Sequence, residues 1–196
     1  MNLPNILTLS RIPLMFLIVW LMREDFMWAA TGAFVMFVIA GLTDWLDGYV
    51  ARKQGIVSNF GILMDALTDK ILMLGLMIAL VDIEQVHIFL VLLILGREFM
   101  ITGMRLVAAT KGVVVSAESS GKQKTVTQIL ALGAFLLEAV FRKDFGSGTD
   151  GWAVQAAEIL NWIGLTLFGL CVFMTLYSGA NYFKKYGELV FLEGDR

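Results

Sequence analysis

Long apolar segments separated by short polar stretches fill most of this chain. Two of these segments, residues 26–43 and residues 159–183, contain no charged residue. A helix needs about 20 apolar residues to cross the hydrocarbon core of a bilayer, so both segments are long enough to span one. The runs are unbroken and do not alternate as transmembrane strands do. The pattern therefore predicts membrane-spanning helices.

Four further apolar segments are interrupted by charged side chains. They are residues 6–22, 57–81, 86–110 and 125–141. Together with the two uncharged segments, they predict an all-α polytopic membrane protein with six transmembrane helices, which form a single domain over residues 1–196. Residues 2–11 are open to two interpretations: an amphipathic segment at the membrane surface, or the beginning of the first span.

The composition agrees with the pattern and excludes two classes of protein. Hydrophobic residues make up 58% of the chain and charged residues 16%, against about 25% charged residues in ordinary soluble domains. A soluble globule of this size would expose large apolar patches. The net charge of −2 gives no basic surface of the kind that binds nucleic acid. We therefore expect neither a soluble domain nor a nucleic-acid partner.

Lysine and arginine near the segment ends predict the orientation, because cytoplasmic loops carry an excess of both. One side of the membrane receives Arg11, Arg52, Lys53, Lys111, Lys122, Lys124, Lys184, Lys185 and Arg196. The other side receives Arg23, Arg142 and Lys143. This imbalance predicts that both termini lie in the cytoplasm.

Two pairs of aspartates lie near the predicted cytoplasmic ends of the second and third segments. Asp44 and Asp47 are three residues apart, and Asp65 and Asp69 are four apart, so each pair falls on one face of a helix. The two helices are antiparallel neighbours, and four facing carboxylates need compensating charge. Oxygen ligands favour Mg2+, Mn2+ or Ca2+ over zinc. The pattern indicates a site for two divalent ions, an arrangement that suits phosphoryl-type chemistry.

Two other interpretations of the aspartates stay open on spacing alone. They could be carboxylates at helix ends that face water, with Lys70 and Arg52 offsetting part of their charge. They could also line the ion path of a small cation transporter or channel, because intramembrane carboxylates occur in both kinds of protein.

The residues around the aspartates match a family signature. The sequence from Asp44 to Arg52, followed by eight residues and then Gly61 to Asp69, agrees at every fixed position with D-x2-D-G-x2-A-R-x8-G-x3-D-x3-D. This is the signature of the CDP-alcohol phosphotransferase family, which the chain therefore resembles. An ion path does not require the glycines, the alanine and the arginine of this pattern.

The resemblance implies roles for the signature residues. Asp44, Asp47 and Asp65 are implied as ligands of two Mg2+ or Mn2+ ions, and Asp69 as a ligand, the catalytic base or both. A glycine allows close approach of a ligand to the backbone, and a guanidinium forms a forked pair with phosphate. The implied binding residues for the CDP group are Gly48, Ala51, Arg52 and Gly61 of the signature, with Asn5 and Thr8 near the N-terminus.

The resemblance also implies a reaction and a location. An acceptor hydroxyl attacks the β-phosphorus of CDP-diacylglycerol and CMP leaves, without a covalent enzyme intermediate. The enzymes of this family are usually homodimers among membrane lipids. The implied location is the inner (cytoplasmic) membrane of a bacterium, with the active site facing the cytoplasm.

Basic residues after the signature bear on the acceptor. Arg97 and Arg105 are eight residues apart, so both lie on roughly one face of a helix. Buried arginines suggest an anion, which the phosphate of an acceptor would supply. The alternative is that Arg97 pairs with Glu98 and that Lys122 and Lys124 are ordinary cytoplasmic anchors.

Three stretches are similar to family members that use sn-glycerol 3-phosphate and make phosphatidylglycerol phosphate. They are residues 2–11, residues 97–109 and residues 121–128. The likeness implies that the acceptor phosphate is bound by Arg97, Arg105, Lys122, Lys124 and Gln128. Serine, inositol phosphate and phosphatidylglycerol are the alternative acceptors.

Overall fold

The computed structural model describes the backbone of residues 3–54, 59–110, 119–146 and 151–191, and the side chains of residues 9–43, 67–68, 70–108, 123–146 and 151–186. These ranges contain helices and no strand, which confirms the all-α prediction. The helices are α1 (Leu3–Arg23), α2 (Ala29–Gln54), α3 (Asn59–Asp82), α4 (Ile88–Thr110), α5 (Ser119–Ala139), a π-helix (Val140–Asp144) that continues α5, and α6 (Trp152–Phe191).

The helices lie where the apolar segments predict them, but several extend further. α2 continues well beyond residue 43, and α6 begins seven residues before the uncharged segment that starts at residue 159. The added turn of α6 contains alanine, glutamine and glutamate, which are good helix formers. α1 begins at Leu3 and runs without a break to Arg23, with Pro13 inside it. Hydropathy thus locates the apolar part of each helix rather than its ends.

Two of the helical segments are long and apolar enough to cross a membrane, judged on the described residues. They are Gln123–Asp144 and Trp152–Tyr186, and Ala29–Thr43 is a shorter apolar helix. The coarse prediction of an all-helical chain with apolar membrane-length helices is therefore confirmed. The number of spans stays a prediction.

The chain divides into two compact units. Unit 1 comprises Met1–Gln85 and Leu132–Gly164, and unit 2 comprises Val86–Ala131 and Leu165–Arg196. In unit 1, α1 packs against both α2 and α3. Small residues make this packing close, because a Cβ atom at Gly75 of α3 would overlap the side chain of Met15 of α1.

One end of unit 1 is held by polar contacts from the π-helix. Asp144 Oδ2 accepts hydrogen bonds from the backbone N–H (2.7 Å) and the hydroxyl (2.6 Å) of Thr31, in the first turn of α2. A carboxylate at this position accepts a hydrogen bond from a backbone N–H that has no partner within the helix, and it interacts favourably with the positive end of the helix dipole. Lys143 donates to Asp25 Oδ1 (2.7 Å), which lowers the pKa of that carboxyl. These contacts fasten the π-helix to the connection between α1 and α2.

Gly164 of α6 tests how tightly unit 1 is packed. A Cβ atom at this position would lie 2.9 Å from two ring carbons of Phe135, whose side chain is buried. We expect Gly164→Ala to be less stable than Gly169→Ala by about 1–3 kcal/mol, because overpacking outweighs the gain in helix propensity. A Cβ at Gly169, in the same helix, has nothing within 4 Å. Thermal unfolding of the two variants in the same detergent measures the difference, and equal stabilities would contradict the packing.

Candidate active site

The structure places the four signature aspartates on two helices of unit 1. Asp44 and Asp47 lie in α2, and Asp65 and Asp69 lie in α3, each pair within continuous helix. The spacing argument therefore has the helical backbone that it requires, and each pair of positions shares one helix face. The side chains of these four residues lie outside the described side chains, so metal ligation and the role of Asp69 as base stay predictions.

The other predicted donor-site residues also lie on helices. Gly48, Ala51 and Arg52 belong to α2, Gly61 belongs to α3, and Asn5 and Thr8 belong to α1. Their contacts lie outside the described side chains, as do those of Lys122. Among the side chains that are described, no three histidine, cysteine, aspartate or glutamate residues come together as a metal site.

Arg11 adds a buried cation to unit 1. It lies on α1, the helix that packs against both aspartate-bearing helices, and it is only 1% exposed. Burying an ionised side chain is costly unless it is paired. Unit 1 thus holds a buried guanidinium as well as the four carboxylate positions.

A second polar group lies in unit 2, where α4, α5 and α6 contribute one or two side chains each. Glu98 Oε1 accepts a hydrogen bond from Arg97 Nη1 at 2.8 Å and from Lys124 Nζ at 2.7 Å. Arg97 Nη2 donates to Ser178 Oγ at 2.8 Å. We call these four residues, Arg97, Glu98, Lys124 and Ser178, the Glu98 cluster. Two cations share one carboxylate, so the cluster carries one positive charge in excess.

The cluster has hydrogen-bond donors to spare. Arg97 Nε is buried and makes no hydrogen bond to any described residue. Gln128, one turn beyond Lys124 on α5, is buried and has an interaction of its own. Gly179 makes room for the arginine, because a Cβ atom there would lie 3.3 Å from Arg97 Cγ. Arg97 lines a groove of about 480 Å³ between α4 and α6. The other residues that line this groove are mostly apolar.

Arg105 is held apart from the cluster's hydrogen bonds. Its Nε donates to the hydroxyl of Tyr182 at 3.3 Å, and its guanidinium carbon lies 5.7 Å from the centre of that ring. Tyr182 is buried against Ile101 and Met104. Both predicted arginines of α4 therefore contact α6. Their partners there, Ser178 and Tyr182, are one helical turn apart.

The structure bears on the two open interpretations of the basic residues. Arg97 does pair with Glu98, as the alternative supposed, but the same carboxylate also binds Lys124. Lys124 is 2% exposed, which does not fit an ordinary anchor at the membrane surface.

Sequence reasoning gave Glu98 no site role and missed Ser178. A carboxylate beside Arg97 in an apolar segment was a usable signal, since such a charge needs partners. Ser178 lies in an uncharged apolar segment and gave no signal.

The comparisons with known proteins now define the class. The sequence model of the CDP-alcohol phosphatidyltransferases matches residues 1–175. The chain therefore belongs to the CDP-alcohol phosphatidyltransferase family, and the prediction of an enzyme of this kind is confirmed.

Three similar proteins carry the same name. Over 199 aligned residues, the chain is 37% identical to the CDP-diacylglycerol--glycerol-3-phosphate 3-phosphatidyltransferase of Bacillus subtilis, covering 95% of this chain and 96% of that protein. The protein of the same name from Rickettsia typhi is 33% identical over 183 residues, covering 93% and 96%. The Arabidopsis thaliana protein of that name numbered 2 is 32% identical over 189 residues, covering 88% and 78%. The predicted resemblance to enzymes that use glycerol 3-phosphate is thereby confirmed.

Proposed function

We propose that this enzyme transfers the phosphatidyl group of CDP-diacylglycerol to sn-glycerol 3-phosphate, giving phosphatidylglycerol phosphate and CMP. The observation that carries the choice of acceptor is the partly buried, net-positive Glu98 cluster, in which Arg97 Nε has no hydrogen-bond partner among the described residues. A phosphate group satisfies such donors, whereas serine supplies no phosphate. The names of the full-length relatives point to the same acceptor.

For the acceptor phosphate, we assign Arg97 and Lys124 as direct partners. Arg105, Lys122 and Gln128 complete the predicted set. Arg97 offers a planar fork and Lys124 a compact charge, and both are suited to phosphate oxygens. In this arrangement the acceptor is held by its phosphate, which leaves its hydroxyl free to react.

For the donor, we assign Asp44, Asp47, Asp65 and Asp69 as the residues that hold two Mg2+ or Mn2+ ions. A donor set of carboxylates alone fits hard divalent cations and does not fit zinc. When bound, the ions supply positive charge beside the pyrophosphate. Arg52 adds a guanidinium for phosphate, and small residues leave space for the CDP group at Gly48, Ala51 and Gly61, with Asn5 and Thr8 on α1.

The reaction follows from these assignments. The acceptor oxygen forms a bond to the β-phosphorus as the bond from that phosphorus to the CMP oxygen breaks. Asp69 removes the proton of the acceptor hydroxyl, which makes the oxygen a stronger nucleophile. The electron pair of the broken bond leaves with CMP, and no covalent enzyme intermediate forms.

We further propose six membrane spans, with both termini and the active site on the cytoplasmic side of a bacterial inner membrane. The described ranges contain six α-helices at the predicted positions, which support this topology together with the excess of lysine and arginine on one side. Residues 1–196 form a single membrane domain in this proposal. The resemblance further implies that two copies of the chain associate as a homodimer.

A panel of acceptors tests the proposed function. We expect the purified enzyme, given CDP-diacylglycerol and Mg2+ or Mn2+, to release CMP with sn-glycerol 3-phosphate. Serine, inositol phosphate and phosphatidylglycerol should give little or none. Chelation with EDTA should abolish the release, and added metal should restore it. CMP release with serine or inositol phosphate but not with sn-glycerol 3-phosphate would refute the acceptor assignment. Cation flux through vesicles without CMP release would favour the transporter alternative.

A further inference from the structure

We propose that Glu98 is a positioning residue, which holds Arg97 and Lys124 together as one binding unit for the phosphate of the acceptor. This inference rests on the proposed function and adds a negatively charged residue to an anion-binding site. Such a residue is unexpected there, because its charge opposes the ligand. Its contacts explain why the site needs it.

The geometry of the Glu98 cluster brings two cations close together. A single oxygen of Glu98 accepts from both cations, at 2.8 Å from Arg97 Nη1 and 2.7 Å from Lys124 Nζ. The guanidinium and the ammonium are therefore close neighbours on two different helices. Like charges this close repel strongly where little water screens them. The carboxylate between them offsets that repulsion and fixes their separation.

Both cations of the cluster are largely shielded from water. Lys124 is 2% exposed, and the side chain of Arg97 is 13% exposed, so neither charge is bathed in water. Taking away one partner of a buried charge cluster leaves the remaining charges uncompensated. Glu98 is therefore required to keep both cations in place before the acceptor arrives.

The two cations have more hydrogen-bond donors than the cluster uses. An ammonium has three N–H donors and a guanidinium five. Glu98 takes one from each cation, Ser178 takes one from Arg97, and Arg97 Nε has no partner among the described residues. Glu98 thus positions both groups without using up their capacity, and one excess positive charge is left for a phosphate.

Two competing roles for Glu98 predict different changes in the KM for sn-glycerol 3-phosphate. If Glu98 merely occupied the place of the acceptor phosphate, removing its charge would tighten acceptor binding. If it served only the stability of the fold, removing its charge would lower stability and leave the KM values unchanged. The sign of the change in KM for sn-glycerol 3-phosphate separates the three cases.

The test compares Glu98→Gln and Glu98→Asp with wild type. We expect Glu98→Gln to raise the KM for sn-glycerol 3-phosphate about 10- to 100-fold, which corresponds to the loss of charge-assisted hydrogen bonds. The KM for CDP-diacylglycerol should stay the same, and kcat should change less than the acceptor KM. Glu98→Asp keeps the charge on a shorter side chain and should recover part of the acceptor affinity.

Glu138→Gln is the matched control. Glu138 is a carboxylate in an apolar helix that also pairs with a basic residue, Arg142 one turn away in unit 1; it is buried, whereas the side chain of Glu98 is 26% exposed. This change should lower stability and leave the acceptor KM unchanged. A lowered or unchanged acceptor KM in Glu98→Gln would overturn the proposal. An equal rise of the acceptor KM in Glu98→Gln and Glu138→Gln would also overturn it, because general destabilisation would then explain the rise.

A binding measurement separates failure of this inference from failure of the proposed function. Inorganic phosphate should raise the melting temperature of wild type, and this shift should be lost in Glu98→Gln and partly kept in Glu98→Asp. If phosphate stabilises both wild type and Glu98→Gln equally, the positioning role is wrong even where the acceptor panel succeeds. If the panel instead selects an acceptor without phosphate, the proposed function fails, and the inference that rests on it falls as well.

Discussion

Asp65→Asn should lower the rate of CMP release about 100- to 1,000-fold, since a neutral amide replaces the carboxylate that we propose as a metal ligand at the point where charge develops. The rate should be followed at increasing Mg2+ and Mn2+ concentrations with saturating lipid and sn-glycerol 3-phosphate. We expect the remaining activity to need a higher metal concentration than wild type. The loss should appear with Mg2+ and with Mn2+ alike.

Asp82→Asn is the control for this experiment. Asp82 ends the same helix, α3, and its half-exposed side chain pairs with Arg23 at 3.2 Å. Exposed ion pairs contribute little to stability, so this variant should keep wild-type activity and metal dependence. Full activity in Asp65→Asn would remove the metal assignment, and a loss of activity in both variants would point to misfolding rather than chemistry.

Asp69→Asn should lower kcat about 100- to 10,000-fold, the range that a general base contributes. The amide cannot take the proton of the acceptor hydroxyl. If Asp69 acts as base alone, the metal concentration that gives half-maximal rate stays the same. If Asp69 is also a ligand, that concentration rises as in Asp65→Asn.

The two aspartate variants together therefore assign the roles on α3. A kcat for Asp69→Asn equal to that of wild type would contradict a base at this position. The melting temperature of each variant should accompany the kinetics, so that a folding defect is recognised.

The hydrophobic pattern predicts the helices of this protein well and their ends poorly. Apolar runs identify the part of a helix that avoids water, whereas the turns beyond it are helical for other reasons. In α2 the helix continues through the first part of the signature, Asp44 to Arg52, and ends at Gln54, and in α6 it begins at Trp152 in a stretch of good helix formers. Hydropathy contains no information on either.

The same distinction holds for the candidate site, where the sequence predicts the spacing of residues along a helix but not the contacts between helices. A fixed spacing of aspartates, glycines and arginine is visible in the sequence, and the helices of the structure have the continuity that this spacing assumes. The partners of a basic residue depend on packing between helices. Neither the burial of Lys124 nor the sharing of Glu98 between two cations could be predicted from the amino-acid sequence alone. Ser178 enters the cluster only because α6 packs beside α4.

The division of the chain has a consequence for its synthesis. Unit 1 takes its two parts from Met1–Gln85 and Leu132–Gly164, and unit 2 takes Val86–Ala131 and Leu165–Arg196, so the two alternate along the sequence. A nascent chain that has reached Gln85 already contains all four signature aspartates but lacks the rest of unit 1. Completion of that unit must wait until residue 164 has left the ribosome. Premature termination between Asp69 and residue 164 leaves a product with the whole signature and an incomplete scaffold around it.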